Sequence, residues 1–420
     1  MSKNWFSYLA LLLLFLIVGF IMSYVLNLVE ERYNSDSKEV KKIFISKDIV
    51  IAHRGTTYWA PEETEMAYRW ARNIGADYLE VDVQRTKDGV LLALHDDLLT
   101  RTTNIENIYP ELSARPSSYF AFEELINLDA GAWFYESASQ EGVDYYSSEI
   151  YLKKTDKPAF YFNSEGEKVL FDGEVIYVGG SQGISTLEDV IRIAEGYRIA
   201  KDSLGNRIYE IIEEEGVIHY RFFYVKDEED SGHRPGVYIE TKEPQLFQGI
   251  EEDLYQELSR LNWNVLTKSD SDTLVRRGGQ VNMGNTSAKV ILQTFSPKSL
   301  IKLNKLFRGE VPMTFLLWLG DDNMLKNDST TYFKNLSFAK QNGAHIIGPS
   351  ISGAPNNYNN LLTEQNVEWI KSQGFHIHPY SFDTRLQMLQ YGAASDGMFT
   401  NRADLTIQYY DQTKNAKQKD

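Results

Sequence analysis

The sequence predicts an α/β protein built on a (β/α)8 barrel, the fold also called a TIM barrel, and two observations support this prediction. Short apolar, β-branched segments recur along the chain, and helical patterns separate most of them, which is typical of parallel strand–helix–strand units. Eight such strands close a barrel, and one barrel of ordinary size would use most of the 420 residues. The predicted strands are residues 48–52, 77–83, 236–241, 289–293, 312–317, 344–348, 375–379 and 397–400. The helical patterns lie at Glu62–Arg72, Leu254–Leu261, Pro297–Leu306, Tyr332–Gln341, Glu364–Ser372 and Thr384–Tyr391.

A ninth apolar run, Val90–Leu94, follows the second strand after only a short polar turn. A parallel crossover needs about a dozen residues or more, so this run predicts a β-hairpin. If Lys87 and Asp88 are the two turn residues, Glu80 pairs opposite His95. The hairpin would then return His95 to the mouth of the barrel, beside the end of the second strand.

The segment between this hairpin and the third barrel strand is far longer than an ordinary loop. It covers residues 105–235 and predicts an insertion over the mouth of the barrel. Within it, Ser185–Glu195 has a helical pattern, and hairpins are expected around 159–178 and 207–226.

An apolar run without charge at residues 5–29 predicts a single transmembrane helix. Lys3 precedes the run and Glu30 follows it, so the positive-inside rule places the rest of the chain outside the cytoplasm. A cleaved signal peptide is the alternative, although the run lacks a good pair of small residues for cleavage. The predicted organisation is a cytoplasmic stub at 1–4, the anchor at 5–29, a linker at 30–47, the barrel at 48–410 and a polar tail at 411–420.

The composition excludes several kinds of function. The chain has 43 Lys and Arg against 59 Asp and Glu, a formal net charge of −16, which argues against a nucleic-acid partner. It has no cysteine, which excludes disulfides, thiolate zinc sites and a cysteine nucleophile.

Two acidic residues of the second strand, Glu80 and Asp82, are two positions apart and therefore point to the same face. In a barrel with helices outside, that face is the interior, where like charges need a positive partner. A divalent cation would supply it, and oxygen ligands favour Ca²⁺ or Mg²⁺. Pairing with Arg or Lys in a structural network is the alternative. Glu240 and Lys242 repeat this spacing in the third strand. Glu240 would be a third metal ligand and Lys242 a contact to phosphate; the alternative is that both lie on the protein surface.

Two histidines lie at strand ends on the predicted mouth. His53 is followed by Arg54 after the first strand, and His95 is followed by Asp96 after the hairpin strand. Histidine exchanges protons near neutral pH, and arginine presents a planar fork to phosphate oxygens. A single histidine in such a place is usually structural, but two at one mouth favour acid–base chemistry on a phosphate ester.

These residues belong to motifs through which the sequence resembles the glycerophosphodiester phosphodiesterase family, over most of residues 48–410. The bacterial secreted branch of that family is the most similar. The motifs are HRG at His53–Gly55, PEET at Pro61–Thr64, GADYLEVDVQRTKDG at Gly75–Gly89, LHDDLLTRTT at Leu94–Thr103, YIETKEP at Tyr238–Pro244, LQTFS at Leu292–Ser296, IIGPS at Ile346–Ser350, HPYSF at His378–Phe382 and DGMFTNRAD at Asp396–Asp404.

The resemblance implies a role for each matched residue. Catalytic histidines correspond to His53 and His95, metal ligands to Glu80, Asp82 and Glu240, phosphate contacts to Arg54 and Lys242, and a site residue without an assigned role to Glu62. The chain departs from the family pattern in two places. Glu63 stands where the family usually has Asn and adds a negative charge, and Asn401 stands where Asp is common.

The expected function is metal-dependent hydrolysis of glycerophosphodiesters to glycerol 3-phosphate and an alcohol by two-histidine catalysis, with one Ca²⁺ or Mg²⁺. The enzyme would be held at the extracytoplasmic face of a bacterial membrane. A lysophospholipase D, or a hydrolase of glycerophosphate polymers of the envelope, is the alternative that keeps the site and changes the substrate. A non-enzymatic binding protein on a barrel is the third possibility. The head group and the oligomeric state stay open.

Overall fold

The computed structural model describes residues 45–131, 182–268, 286–319 and 328–417 except residue 215, with short stretches between 131 and 182 and between 268 and 286. The chain divides into two compact units, residues 1–46 with 272–286 and residues 47–271 with 287–420. In the described part of the first unit, two short strands pair in antiparallel fashion. No described helix is both long and apolar enough to cross a bilayer. The predicted anchor at 5–29, and nearly all of the linker at 30–47, lie outside the described residues.

Twenty strands are described. In chain order they are β1 Ile49–Ala52, β2 Tyr78–Arg85, β3 Leu91–Ala93, β4 Ser139–Gln140, β5 Val143–Asp144, β6 Phe160–Phe162, β7 Glu167–Leu170, β8 Val175–Val178, β9 Tyr197–Ile199, β10 Tyr209–Glu214, β11 Val217–Phe222, β12 Tyr224–Lys226, β13 Gly236–Thr241, β14 Arg276–Arg277, β15 Gln280–Val281, β16 Val290–Thr294, β17 Met313–Leu317, β18 Ile346–Pro349, β19 His376–Ile377 and β20 Gly397–Thr400.

The described α-helices alternate with the strands of the second unit over most of its length. They are Glu65–Ile74, Ile105–Ile108, Phe122–Leu125, Leu187–Ala194, Ile250–Arg260, Pro297–Phe307, Ser329–Gln341, Glu364–Ser372, Arg385–Tyr391 and Ala403–Lys417.

Eight parallel strands of the second unit form a nearly closed barrel. Their order is β19, β18, β17, β16, β13, β2, β1 and β20. Backbone hydrogen bonds cross the remaining seam, which lies between β19 and β20. Asp396 N donates to Ile377 O at 2.8 Å, and Phe399 N donates to Pro379 O at 3.2 Å. All eight predicted barrel strands are therefore confirmed, with ends that differ by two residues or fewer.

The helices begin where their sequence supplies a cap. Six of them follow a Ser, Thr or Asp whose side-chain oxygen accepts a backbone N–H of the first turn, which satisfies a donor that the helix itself leaves unpaired. The capping residues are Thr64, Thr186, Ser296, Asp328, Thr363 and Thr384.

The predicted hairpin is confirmed, but its register differs by one residue. Val83 pairs with Ala93, so the position opposite His95 is Val81 and not Glu80. The turn is one residue longer than predicted: Thr86 N donates to Val90 O at 3.0 Å, which leaves three residues in the loop. Three-residue hairpin loops are common, and the extra residue shifts the pairing of the whole returning strand.

The segment predicted as an insertion includes a part of the barrel itself. Helix Leu187–Ala194 packs against β2, β3 and β13, and so serves as the second helix of the barrel wall. The expected hairpin around 207–226 is the antiparallel pair β10 and β11. Before that helix, the described residues form a small apolar cluster beside the hairpin, built around Leu99, Phe120 and Phe122. The insertion in the strict sense therefore lies mainly before residue 182.

The described residues of the polar tail predicted at 411–420 are helical. The last helix continues to Lys417. Tyr409 and Tyr410 are buried and hold this helix in place. The exposed residues after them include Gln, Lys and Ala, which are good helix formers, so the helix extends beyond its buried part.

The turn that ends β1 requires a glycine. Gly55 has φ +83°, and a Cβ atom there would lie 2.8 Å from the Cβ of Ala67. The left-handed backbone and the missing side chain together let helix Glu65–Ile74 approach the end of β1 closely.

We expect Gly55→Ala to lower the free energy of unfolding by about 2 to 4 kcal/mol, since it combines backbone strain with overpacking. Gly75→Ala is the matched control, because Gly75 also has a positive φ but nothing lies within 4 Å of an added Cβ. Urea denaturation of both variants measures the difference. Equal destabilisation would show that the close approach to Ala67 costs nothing.

Candidate active site

The structure brings seven of the eight predicted site residues to one cavity at the carboxyl ends of the barrel strands. The cavity has a volume of about 740 Å³. The predicted residues that line it are His53, Arg54, Glu80, Asp82, His95, Glu240 and Lys242. The eighth, Glu62, lies behind this layer and reaches the cavity through its contact with Arg54.

Arg54 lies in a turn of 3-10 helix, His53–Gly55, that directly follows β1. Its backbone N donates a hydrogen bond of 2.7 Å to Oε2 of Glu80. Its side chain is buried, with Nε 3.3 Å from Oδ2 of Asp82 and Nη1 3.3 Å from Oε1 of Glu62. One residue thus joins the end of the first strand to the acidic residues of the second.

Three carboxylates project from two neighbouring parallel strands. Glu240 of β13 stands beside Asp82 of β2 in the strand register, with Glu80 one layer deeper. Ligand oxygens of the three lie within 4.8 Å of one another. Glu80 accepts a hydrogen bond of 2.8 Å from Nε2 of Gln293. By contrast, neither side-chain oxygen of Asp82 accepts a hydrogen bond from the residues that the structure describes.

The electrostatics of this triad require added positive charge. Burial, Asp82 and Glu240 raise the pKa of Glu80 well above its usual value. Burial, only partly opposed by Lys242, raises the pKa of Glu240 to about 8. Burial also opposes ionisation of Asp82, but Lys242 and His95 outweigh it and lower the pKa of Asp82 to about 2. Three negative charges in this space repel one another and need positive charge beside them. The converging oxygens, together with the lone pairs of Asp82 that accept no hydrogen bond from the described residues, therefore fit a hard divalent ion.

His95 belongs to a chain of ionic contacts that closes one side of the cavity. Its Nδ1 lies 2.6 Å from Oδ1 of Asp96, and Arg101 bridges Asp96 and Glu62. Burial, Arg54 and Lys242 lower the pKa of His95 well below its usual value. Two guanidinium groups, those of Arg54 and Arg101, outweigh burial at Glu62 and lower its pKa to about 2.

Sequence reasoning missed Arg101, which sets the position of both Asp96 and Glu62. It was visible in the motif LHDDLLTRTT, five residues after Asp96, but its distance along the chain from Glu62 hid the contact. Glu63 was noted only as a departure from the family pattern. It is buried, accepts a hydrogen bond of 3.0 Å from Asp82 N, and also pairs with the hydroxyl of Tyr68.

The surroundings of Glu63 disfavour the negative charge that the sequence predicts there. Burial, with the nearby carboxylates Asp82 and Glu80, raises its pKa well above the usual value. The neutral form is therefore favoured, and the residue supports the backbone of β2 instead of repelling the triad.

Aromatic side chains form the outer wall of the same cavity. Phe295 and Tyr380 have ring centroids 5.8 Å apart, Tyr380 and Tyr358 are 6.0 Å apart, and Tyr358 and Trp318 are 5.3 Å apart. The series starts beside Lys242, whose Nζ lies 5.7 Å from the centroid of Phe295. The wall thus leads from the polar centre outward and presents apolar surface to a bound organic group.

The comparisons with known proteins agree with this geometry. The family model described as "Glycerophosphoryl diester phosphodiesterase family" matches residues 53–255 and 249–405. A glycerophosphodiester phosphodiesterase of Bacillus subtilis (strain 168) is 27% identical over 360 residues, which cover 85% of this chain and 84% of the relative.

Two solved structures share the fold. A glycerophosphoryl diester phosphodiesterase homologue of Silicibacter pomeroyi DSS-3 has a TM-score of 0.53 at 14% identity, covering 90% of this chain and 98% of its own. An Oleispira antarctica phosphodiesterase, solved in complex with the product sn-glycerol-3-phosphate, has a TM-score of 0.50 at 16% identity, covering 86% of this chain and 96% of its own.

The lowered pKa of Glu62 predicts a specific pH dependence of stability. A carboxyl with a depressed folded pKa stabilises the protein above its unfolded pKa, and that contribution is lost as the pH falls through the folded pKa. We therefore expect the difference in unfolding free energy between the wild type and Glu62→Gln to shrink by about 2 kcal/mol from pH 6 to pH 3.

Urea denaturation at several pH values measures this difference. Glu111→Gln is the control, because Glu111 is exposed and its difference from the wild type should not change with pH. A difference for Glu62→Gln that is constant over this range would contradict the assignment.

Proposed function

As a member of the glycerophosphoryl diester phosphodiesterase family, the chain is a phosphodiesterase, and we propose that it hydrolyses glycerophosphodiesters to glycerol 3-phosphate and an alcohol with one divalent cation. The observation that carries this proposal is the single cavity in which two histidines, two cationic side chains and three carboxylates meet. A non-enzymatic binding protein would not need this combination of proton donors and acceptors around one cavity.

The cation would be held by Glu80, Asp82 and Glu240, whose oxygens already converge. All donors are carboxylates, a set that suits Ca²⁺ or Mg²⁺ better than zinc. When bound, such an ion polarises a phosphate oxygen and offsets the negative charge that develops during hydrolysis.

Arg54 and Lys242 would hold the remaining phosphate oxygens. Both side chains line the cavity, and both lower the pKa of Asp82. Lys242 Nζ lies 3.3 Å from Oε1 of Glu240, and Arg54 is fixed by two carboxylates. Paired in this way, both cationic groups stay in place before the substrate arrives, so little reorganisation accompanies binding.

The two histidines divide the proton transfers between them. We assign His53 as the base that takes a proton from the attacking hydroxyl, which belongs to water or to the neighbouring hydroxyl of the glycerol. His95 would donate a proton to the leaving alcohol. The depressed pKa of His95 makes its protonated form a strong acid, and the negative phosphate would favour that form on binding. Asp96 orients the ring through Nδ1.

His53→Ala and His95→Ala should each lower kcat by about 10² to 10⁴-fold, since each removes one proton transfer. Release of glycerol 3-phosphate from glycerophosphocholine is the measurement. His219→Ala provides the control, because His219 is exposed on strand β11 and should keep full activity. Full activity of the His95 variant would refute the role given to that residue.

Calcium or magnesium should raise the Tm of the chelator-treated protein by about 2 to 4 °C at saturation, because the ion binds the folded state. Asp82→Asn and Glu240→Gln should abolish this shift. Glu243→Gln tests whether any lost carboxylate has the same effect, because Glu243 also lines the cavity but lies outside the triad. An undiminished Tm shift in the Asp82 variant would show that the triad is not the metal site. The ion that gives the larger Tm shift is the preferred metal.

The aromatic wall is also compatible with a lysolipid or a glycerophosphate polymer as substrate, so the rates with these substrates need to be compared directly. Trp318 is partly exposed at 36%, and it ends a row of rings that could also receive the chain of a lysolipid. Rates with glycerophosphocholine, with lysophosphatidylcholine and with a glycerophosphate polymer separate the three activities. A higher kcat/KM for the lysolipid would make the chain a lysophospholipase D.

A further inference from the structure

Asn401 connects the first and last strands of the barrel at His53. It follows β20 directly and is buried. Its Oδ1 lies 2.7 Å from Nδ1 of His53 and accepts a hydrogen bond of 2.8 Å from Oγ1 of Thr57. Its Nδ2 donates a hydrogen bond of 2.7 Å to Oδ1 of Asp383. The amide therefore stands between an imidazole and a buried carboxylate.

The direction of these hydrogen bonds determines which nitrogen of His53 carries the proton. An ionised carboxylate only accepts, so the NH₂ group of Asn401 must face Asp383. The oxygen then lies at the opposite end of the amide, where it accepts a hydrogen bond from the Thr57 hydroxyl. An oxygen facing His53 requires a hydrogen on Nδ1, and the lone pair of the neutral imidazole is then on Nε2.

Backbone hydrogen bonds fix the position of Asn401 between its neighbours. Asn401 N donates to Phe382 O at 3.0 Å, and Asn401 O accepts from Tyr58 N at 3.2 Å. On the other side, Asp383 is buried and its backbone N donates to Oε1 of Gln387 at 2.8 Å. Turning the Asn401 amide would break its buried contacts with His53, Thr57 and Asp383, which are costly to lose.

We propose that Asn401 and Asp383 are a matched pair of positioning residues that hold His53 in the Nδ1–H tautomer required of a general base. Asn401 contacts the imidazole, and Asp383 acts through Asn401 by fixing the direction of its amide. The proposal rests on the role of His53 in the proposed function. The carboxylate of Asp383 contacts Asn401 and not the imidazole, so the ring of His53 is oriented by a neutral amide oxygen instead of a carboxylate.

The pairing explains why Asn401 and Asp383 must be considered together. An aspartate in place of Asn401 would set two buried carboxylates about 2.7 Å apart, which strongly disfavours two charges. An asparagine in place of Asp383 removes that repulsion, and its NH₂ group can donate to the carboxylate introduced at position 401. The exchange Asn401→Asp with Asp383→Asn therefore rebuilds this hydrogen bond in the reverse direction, with the charge moved to position 401.

The experiment compares kcat and KM of Asn401→Asp, of Asn401→Asp with Asp383→Asn, and of Asn401→Ala. We expect kcat of the single aspartate variant to fall at least about tenfold with KM little changed, and the double variant to recover kcat to within about threefold of the wild type. A double variant no better than Asn401→Asp would overturn the matched pair. Asn335→Asp is the control for placing an aspartate at a buried asparagine, because Asn335 is buried on helix Ser329–Gln341.

Nitrogen-15 NMR of the imidazoles in the unliganded protein gives a second readout that does not depend on turnover. The His53 signals, assigned by their loss in His53→Ala, should show the Nδ1–H tautomer in the wild type and in the double variant. Asn401→Ala should shift the ring towards Nε2–H. A wild-type ring in the Nε2–H form, with His53→Ala inactive, would refute this inference alone. Full activity of His53→Ala would refute the proposed base, and with it the need to position it.

Discussion

Mutual repulsion among buried carboxylates is the constraint on which the rest of this site depends. The parallel register of β2 and β13 brings Glu80, Asp82 and Glu240 side by side at one end of the barrel. Carboxylates in a dry interior are tolerated only when positive charge or hydrogen bonds compensate them. Arg54 and Lys242 supply part of that charge, and the raised pKa values of Glu80 and Glu240 indicate that the compensation is incomplete. The cost of burying the acids is thus offset in part by two cationic side chains that line the same cavity.

The barrel was predictable because its signal is local and repeated. Each strand is a short, mostly apolar run and most of the barrel helices have a capping residue, so a failure at one element would not have hidden the others. The hairpin register was harder, since one additional residue in the turn moves every pair. The role of Leu187–Ala194 was hidden for a different reason. A helix in the middle of a long connecting segment looks the same whether it covers the barrel or forms its wall.

The candidate site likewise contains residues that the sequence reveals and residues that only the folded structure reveals. His53, Glu80 and Lys242 carry their chemistry in strand-end positions that a pattern can reveal. Arg101 and Asp383 act through contacts with residues far away in sequence, and their immediate neighbours give no sign of it. Glu63 shows a further limit: its charge is visible in the sequence, but its pKa depends on burial and on neighbours that only the folded chain defines.

The seam of the barrel gives the enzyme an order of assembly. His53 follows the first strand, while Asn401 follows the last, 348 positions later. During synthesis the histidine therefore exists long before the residue that orients it, and the two meet only when the final strand closes the sheet. Loop closure over such a separation is slow compared with local pairing. If His53 is the base proposed above, hydrolytic activity would report completion of the fold, because an unfinished chain would have an imidazole that nothing yet holds in one tautomer.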